Sequence, residues 1–261
     1  MAQIIDPPGS TLFPLKNKLK ITPVPYPSLR ESDIMWSKRI WRRIDLREKI
    51  NHPLYFPIEE TTNYAALFDV IKQAISENII NAYDASYDDF RKQLTIEEVM
   101  QSLGQSSTTS VENPDNPGEY FDITDTSWVE ARDIVAYEIK EEVFFDRQRS
   151  IIEYRIIGIA PIKISRDEEG NERGLSLLFW LYFPDCRLVF KNTKAFNTHN
   201  PKESLSYDDV FHKRRFNSFI VKESNVFDRE ISDYSAGLDA LLESERIKEG
   251  IRELEMDLWH Y

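Results

Sequence analysis

The chain has 261 residues, 41% hydrophobic and 30% charged, with 33 Lys and Arg against 45 Asp and Glu and a net charge of -12. That size and apolar share suffice for a sizeable core, while the acidity opposes general binding to nucleic acid or to an anionic membrane surface, because like charge repels phosphate at long range. The single cysteine, Cys186, excludes an internal disulfide, and no apolar run approaches membrane-spanning length.

The opening MAQIIDPPGS has neither a basic nor an apolar signal region, so the chain reads as cytosolic or as a mature chain without an export signal. Residues 1–30 carry Pro7, Pro8, Pro14, Pro23, Pro25 and Pro27, which predicts an extended Pro-rich arm with little helix or strand of its own. Its apolar groups, among them Phe13, Leu15, Ile21 and Val24, must be covered, either by the chain's own domain or by a partner. Residues 31–236 read as a single α+β domain and 237–261 as a C-terminal helix.

The stretch WSKRIWRRIDLREKIN, from Trp36, sets Lys38, Arg39, Arg42, Arg43, Arg47 and Lys49 against only Asp45 and Glu48 in an otherwise acidic chain. Ser32 or Asp33 caps a predicted helix over 34–49, stopped by Asn51, His52 and Pro53. In that helix Trp36, Ile40 and Ile44 line one side with Arg43 among them, Lys38, Arg42 and Lys49 face away, and Asp45 pairs with Arg42 or Lys49. Three roles are open for the basic stretch: binding the protein's own carboxylates, meeting an acidic protein surface, or binding nucleic acid. Arg and Trp anchor interfaces, which makes Trp36, Arg39, Trp41, Arg42 and Arg43 candidate partner-binding residues.

Leu67, Val70, Ile71, Ala74, Ile75, Ile79 and Ala82 fit one buried stripe of a helix over 64–83. Thr95 caps a shorter helix through Leu103, and GQSSTTSVENPDNPGE, 104–119, reads as a flexible loop. Alternation of Val135, Tyr137, Ile139, Val143 and Phe145 predicts a half-buried strand, returned by 152–164 after a turn at 146–149. Leu67, Ile71, Ala74 and Ile75 are expected to pack against the sheet face carrying Val135, Tyr137, Ile139, Tyr154 and Ile156. A further turn at 167–171 leads to LSLLFWLYF, 175–183, read as a strand covered on both faces, then a short strand over 187–190. The class is α+β, an antiparallel meander packed with helices. Ser206 and Asp209 open a helix in near capping-box form. In the last helix Leu238, Leu241 and Leu242 lie roughly opposite Ile247, Ile251, Leu254 and Leu258, so it breaks or touches two surfaces.

Motifs for chemistry are missing. The eight glycines form no phosphate loop, the four histidines have no metal-ligand spacing, and Cys186 has no nearby His. DEEGNE, 167–172, lacks the alternating acids of a calcium loop. Glu141 stands out because alternation puts it on an apolar strand face, which means a bulge, a strand end or a buried functional carboxylate. Neither a cofactor nor a bound metal is expected.

WSKRIWRRIDLREKIN with the following HPLYFP, then FWLYFPDCRLVF, SYDDVFHKRRFNSFIVKESNVFDREI and LDALLESERIKEGIRELEMDLW, in that order, resemble the gliding-motility protein N family, GldN or PorN, of the type IX secretion system. The resemblance implies a non-enzymatic periplasmic subunit of a ring oligomer, built with an outer-membrane lipoprotein, GldK or PorK. It further implies contact with the periplasmic part of the motor component GldM or PorM, with no direct membrane insertion and no nucleic acid. On this reading Phe13, Leu15, Ile21, Val24, Leu238, Leu241 and Leu242 join the basic stretch as partner-binding residues. A soluble enzyme using scattered carboxylates and a nucleic-acid module acting through 36–49 are the alternatives.

Overall fold

The basic stretch is a β-strand. The computed structural model describes residues 21–59, 61, 64–112, 120–166, 172–196, 205–227 and 229–258, and in it Ile34–Asp45 form β1 where a helix was expected. The four-residue spacing of Trp36, Ile40 and Ile44 is an even number, so it fits one strand face as well as one helix stripe. Isoleucine and tryptophan favour the pleated surface. As a strand, β1 also brings its arginines next to carboxylates of neighbouring strands, which no exposed helix would do.

In chain order there follow α1 (His52–Tyr55), α2 (Leu67–Ser76), β2 (Ala82–Tyr83), β3 (Gln93–Leu94), α3 (Ile96–Leu103), β4 (Gly104–Glu112), β5 (Tyr120–Trp128), β6 (Ile134–Asp146), β7 (Ile151–Arg166), β8 (Glu172–Leu177), β9 (Trp180–Tyr182), α4 (Phe183–Asn192), α5 (Tyr207–His212), β10 (Phe219–Glu223) and α6 (Leu238–Leu258). The fold class is α+β, as the residue pattern implies. One sheet runs β10-β1-β6-β7-β9-β2-β3 with β8 also paired to β7, and β4 and β5 make a separate two-stranded ribbon.

Several local expectations are corrected. The stretch 104–112 is strand, paired from Gly104 beside Trp128 to Glu112 beside Tyr120. Its serines and threonines look loop-like by polarity, yet threonine is at home in strands. Residues 113–119 and the turn at 167–171 lie outside the described residues.

The helix predicted over 64–83 is shorter than its stripe: α2 ends at Ser76, and Asn78 takes φ 55°, the left-handed geometry that asparagine tolerates. Ile80 and Ala82 stay buried beyond it. The apolar run 175–183 divides into β8 and β9, which pair with different stretches of β7. β8 is exposed along most of its length. Residues 187–190 belong to α4, whose Pro184 occupies the first turn, where a missing N–H costs nothing.

Of the three caps read from the sequence, that at Ser32 or Asp33 falls with its helix, and the other two are present. Thr95 accepts from the Glu98 amide at 3.2 Å while the Glu98 carboxylate accepts from the Thr95 amide at 2.8 Å. Thr95→Ala should cost about 1 kcal/mol, read as a shift of the urea midpoint, and an unchanged midpoint would show that α3 is held by packing alone. In α5 Asp209 accepts from the Ser206 hydroxyl at 2.6 Å and from Lys191 at 2.8 Å. Burial works to raise the Asp209 pKa, but these bonds outweigh it and hold the carboxyl at about 2. A depressed carboxyl stabilises the fold above its unfolded pKa and loses that contribution as pH falls toward 2.

Two apolar clusters share the face of the sheet that carries Ile40, Ile44, Tyr137, Ile139 and Val143. The larger joins Leu67, Ile71, Ala74 and Ile75 of α2 to Tyr137, Ile139 and Ile156, and adds the rings of Phe183, Phe190, Tyr207 and Phe211. Packing of α2 on the sheet is thus as expected for those strand residues. Val135 is only half-buried and outside that cluster, and Tyr154 belongs instead to the second cluster, in which Ile247 and Ile251 of α6 cover Ile40, Val143 and Ile220. The opposite face is not open. Ala136, Glu138, Lys140 and Phe144 are buried too, so β6 is covered on both sides rather than half-buried. Lys140 illustrates the cover, donating to the Asp88 carbonyl at 2.7 Å and lying 5.2 Å from the Trp41 ring centre.

Candidate protein interaction surface

The candidate partner-binding residues separate into two sets. Those of β1 turn inward. Trp41 is buried with Ala160, Trp180 and Val221, and Trp36 packs on the α6 cluster. Arg42 is buried and its Nε lies 3.1 Å from Oε2 of Glu141. Arg214, in left-handed geometry just after α5, donates to both oxygens of the same carboxylate at 2.7 and 3.1 Å. Both guanidiniums also stand over the Tyr154 ring, at 5.8 and 4.9 Å.

Glu141 is therefore a fully buried acid held between two arginines. The register of β6 against β7 shifts between Lys140 and Glu141, but the extra residue lies on β7 and the pairing with β1 is continuous, so Glu141 itself is not bulged and keeps its place on the apolar face. Burial pulls the Arg42 pKa down, with Glu141 working against it. Next to this group Arg43 donates to Glu138 at 2.9 Å across the β1–β6 pair; burial pushes the Glu138 carboxyl up, and Arg43 opposes that shift. Lys38 meets Glu223 at 2.6 Å, and Asp45 pairs with Arg47 rather than with Arg42 or Lys49. Of the five candidates on β1, only Arg39 is exposed. Lys38, Arg42, Arg43 and Arg47 of the basic stretch are paired with the protein's own carboxylates.

The second set faces outward. On α6, Leu238, Leu241 and Leu242 are 71, 51 and 59% exposed, whereas Ile247 and Ile251 are buried. Ser244, on the buried side, accepts from the Ile220 amide at 2.8 Å and pins the helix to the sheet edge. The helix does not break; it has two faces. Beside Leu241 lies a groove of about 220 Å³ lined by Phe219, Ile231 and Ala240.

Ile21 and Val24 are also exposed, each 58%; Phe13 and Leu15 lie outside the described residues. The backbone of 21–30, without helix or strand, is fastened to the domain. Asn192 exchanges two hydrogen bonds with Ile21, at 2.9 and 2.7 Å. Arg187 donates to the Val24 carbonyl at 2.7 Å and Arg155 to that of Pro27 at 2.9 Å. The Tyr26 ring is held between the same guanidiniums, 4.5 Å from Arg187 and 5.3 Å from Arg155. Asp208 anchors the buried Arg187 at 2.9 Å.

Sequence reasoning missed Val226 and Phe227, 97 and 74% exposed just after β10. They are single apolar residues in a polar turn, with no periodicity to reveal them. Burial pushes the Cys186 thiol up, away from thiolate chemistry. Among the described residues no group of His, Cys, Asp and Glu could hold a metal ion, and no helix is long and apolar enough to cross a membrane.

An inward-paired basic strand, a fastened arm and a terminal helix with bare leucines describe a chain whose distinctive exposed features suit protein contact. The family model described as gliding motility associated protein GldN matches residues 29–260. The chain belongs to the GldN family, a family of gliding-motility components and not a known enzyme family. No individual curated protein matches it.

Proposed function

We propose that the protein is a non-enzymatic structural subunit of the periplasmic ring of the type IX secretion and gliding-motility machinery, assembled with the outer-membrane lipoprotein GldK or PorK and met by the periplasmic part of GldM or PorM. The observation that carries this reading is the two-faced terminal helix. Ile247 and Ile251 are used up inside the fold, while Leu238, Leu241 and Leu242 offer a second apolar face that water does not favour. Family membership supplies the context, and the resemblance supplies the partners. The domain plan accords with such a role: an arm over 1–30, a single α+β domain over 31–236 and a helix over 237–261, with contact residues at both ends.

The test is imaging of the full chain purified with the lipoprotein. Closed rings are expected. Leu241→Glu with Leu242→Glu, at exposed positions, should leave circular dichroism unchanged and abolish the rings. A wild-type mixture that yields no ring, or a charged variant that assembles normally, would remove this reading.

A further inference from the structure

The exposed face of α6 has a chemical character beyond its leucines. The helix carries Asp239, Glu243, Glu245, Glu249, Glu253, Glu255 and Asp257 against Arg246, Lys248 and Arg252. Each of those cations is engaged by the carboxylate three residues before it: Arg246 with Glu243, Lys248 with Glu245 and Arg252 with Glu249. With seven acids against three bases the helix is net acidic, and Asp239, Glu243 and Glu245 are the acids nearest to Leu238, Leu241 and Leu242. What fits it is an apolar segment with cations and no acid.

The chain contains such a segment. Residues 12–20, LFPLKNKLK, combine Leu12, Phe13, Leu15 and Leu19 with Lys16, Lys18 and Lys20, and hold no carboxylate. They lie just before Ile21, so the place where they leave the domain is fixed. Followed backwards from β1, the chain passes β6, where Asp33 accepts from the Arg147 amide. It then passes Arg155 of β7 and Arg187 of α4, and reaches Asn192 at the end of α4. That path crosses from β1 toward α4. Helix α6 runs over β10, β1, β6 and the start of β7, and its Leu241 lies beside Phe219, Ile220 and Val221 of β10, the edge strand on the far side from α4. The segment thus departs on the side away from the surface it complements.

We infer that residues 12–20 of one chain dock on the Leu238, Leu241 and Leu242 face of α6 in a neighbouring copy of the same chain. This rests on the ring reading and supplies its subunit contact. A donor site and an acceptor site at different ends of one sheet make a head-to-tail interface, and repetition of such an interface closes a ring when the rotation per subunit permits. The lysines steer the approach and fix the register against the acidic helix, and the leucines and Phe13 provide the buried area.

The contact is tested with two differently tagged full-length chains, one bearing Leu15→Cys and the other Leu241→Cys. They are mixed with the lipoprotein and treated with a short bismaleimide; native Cys186 is buried and does not compete. A species carrying both tags is expected. Lys16→Glu, Lys18→Glu and Lys20→Glu together should lower its yield several-fold, more so at low salt than at high salt. A chain with both cysteines should give intermolecular ladders. An internally linked monomer would overturn the inference in favour of docking within one chain. Rings without the two-tag species would also overturn it, leaving the helix face to the lipoprotein and the ring reading intact. The two-tag species without rings would uphold the contact and remove the ring.

Discussion

Glu141→Ala should destabilise the domain by about 3 to 5 kcal/mol, because removing one partner leaves a buried charge uncompensated. The carboxylate is inaccessible to solvent and is the partner of Arg42 at 3.1 Å and of Arg214 at 2.7 Å. Without it two guanidiniums face each other beneath Tyr154. Arg42 is buried and cannot turn to water. The loss is a large part of a typical domain stability of about 5 to 15 kcal/mol. Urea unfolding of the variant measures it. Glu141→Gln retains the shape and hydrogen-bonding oxygen and should fall between the two. An alanine variant within about 0.5 kcal/mol of wild type would mean that Arg42 and Arg214 find other partners.

Ile71→Ala should cost about 2 to 5 kcal/mol, the sum of lost transfer energy and the cavity left behind. Ile71 is wholly buried at the centre of α2, in the cluster that contains Tyr137, Ile139 and Phe211. The position is enclosed by two layers, so relaxation fills little of the space. Thermal unfolding provides the measure. A change below about 1 kcal/mol would show that α2 shifts to close the gap and that this part of the core is loosely specified.

The two sites differ in how well the residues announced them. Ile71 belongs to a stripe whose spacing of three and four has one reading, and α2 is where that stripe placed it, though shorter. The helix ends where Asn78 takes left-handed geometry, a backbone event that apolar spacing does not encode. Glu141 was visible only as a misfit, since strand alternation shows that an acid faces the core but not what neutralises it. One partner, Arg42, was assigned to an exposed helix face because spacing of four satisfies both periods. The other, Arg214, is 73 residues away. Non-local pairing decided between helix and strand for 34–45, whereas 104–112 became strand by pairing with the next stretch of chain, 120–128. The outward face of α6 was legible because Leu238, Leu241 and Leu242 fall opposite Ile247 and Ile251 at helical spacing. The fastening of the arm was not, because Arg155, Arg187 and Asn192 belong to separate elements and meet only in the fold.

The arm leads directly into β1 through the short turn Glu31–Asp33, which has a mechanical consequence. Past its contacts with Arg187 and Arg155, the chain runs into β1, bonded along its length to β6 from Ile34 beside Asp146 to Asp45 beside Ala136. Antiparallel hydrogen bonds lie across the strand direction. Tension along β1 would load those bonds together, in shear, instead of opening them one after another from an end. The arm leaves β1 through the turn Glu31–Asp33 and crosses toward α4, so a pull on its free end meets the contacts with Asn192, Arg187 and Arg155 before it reaches the strand.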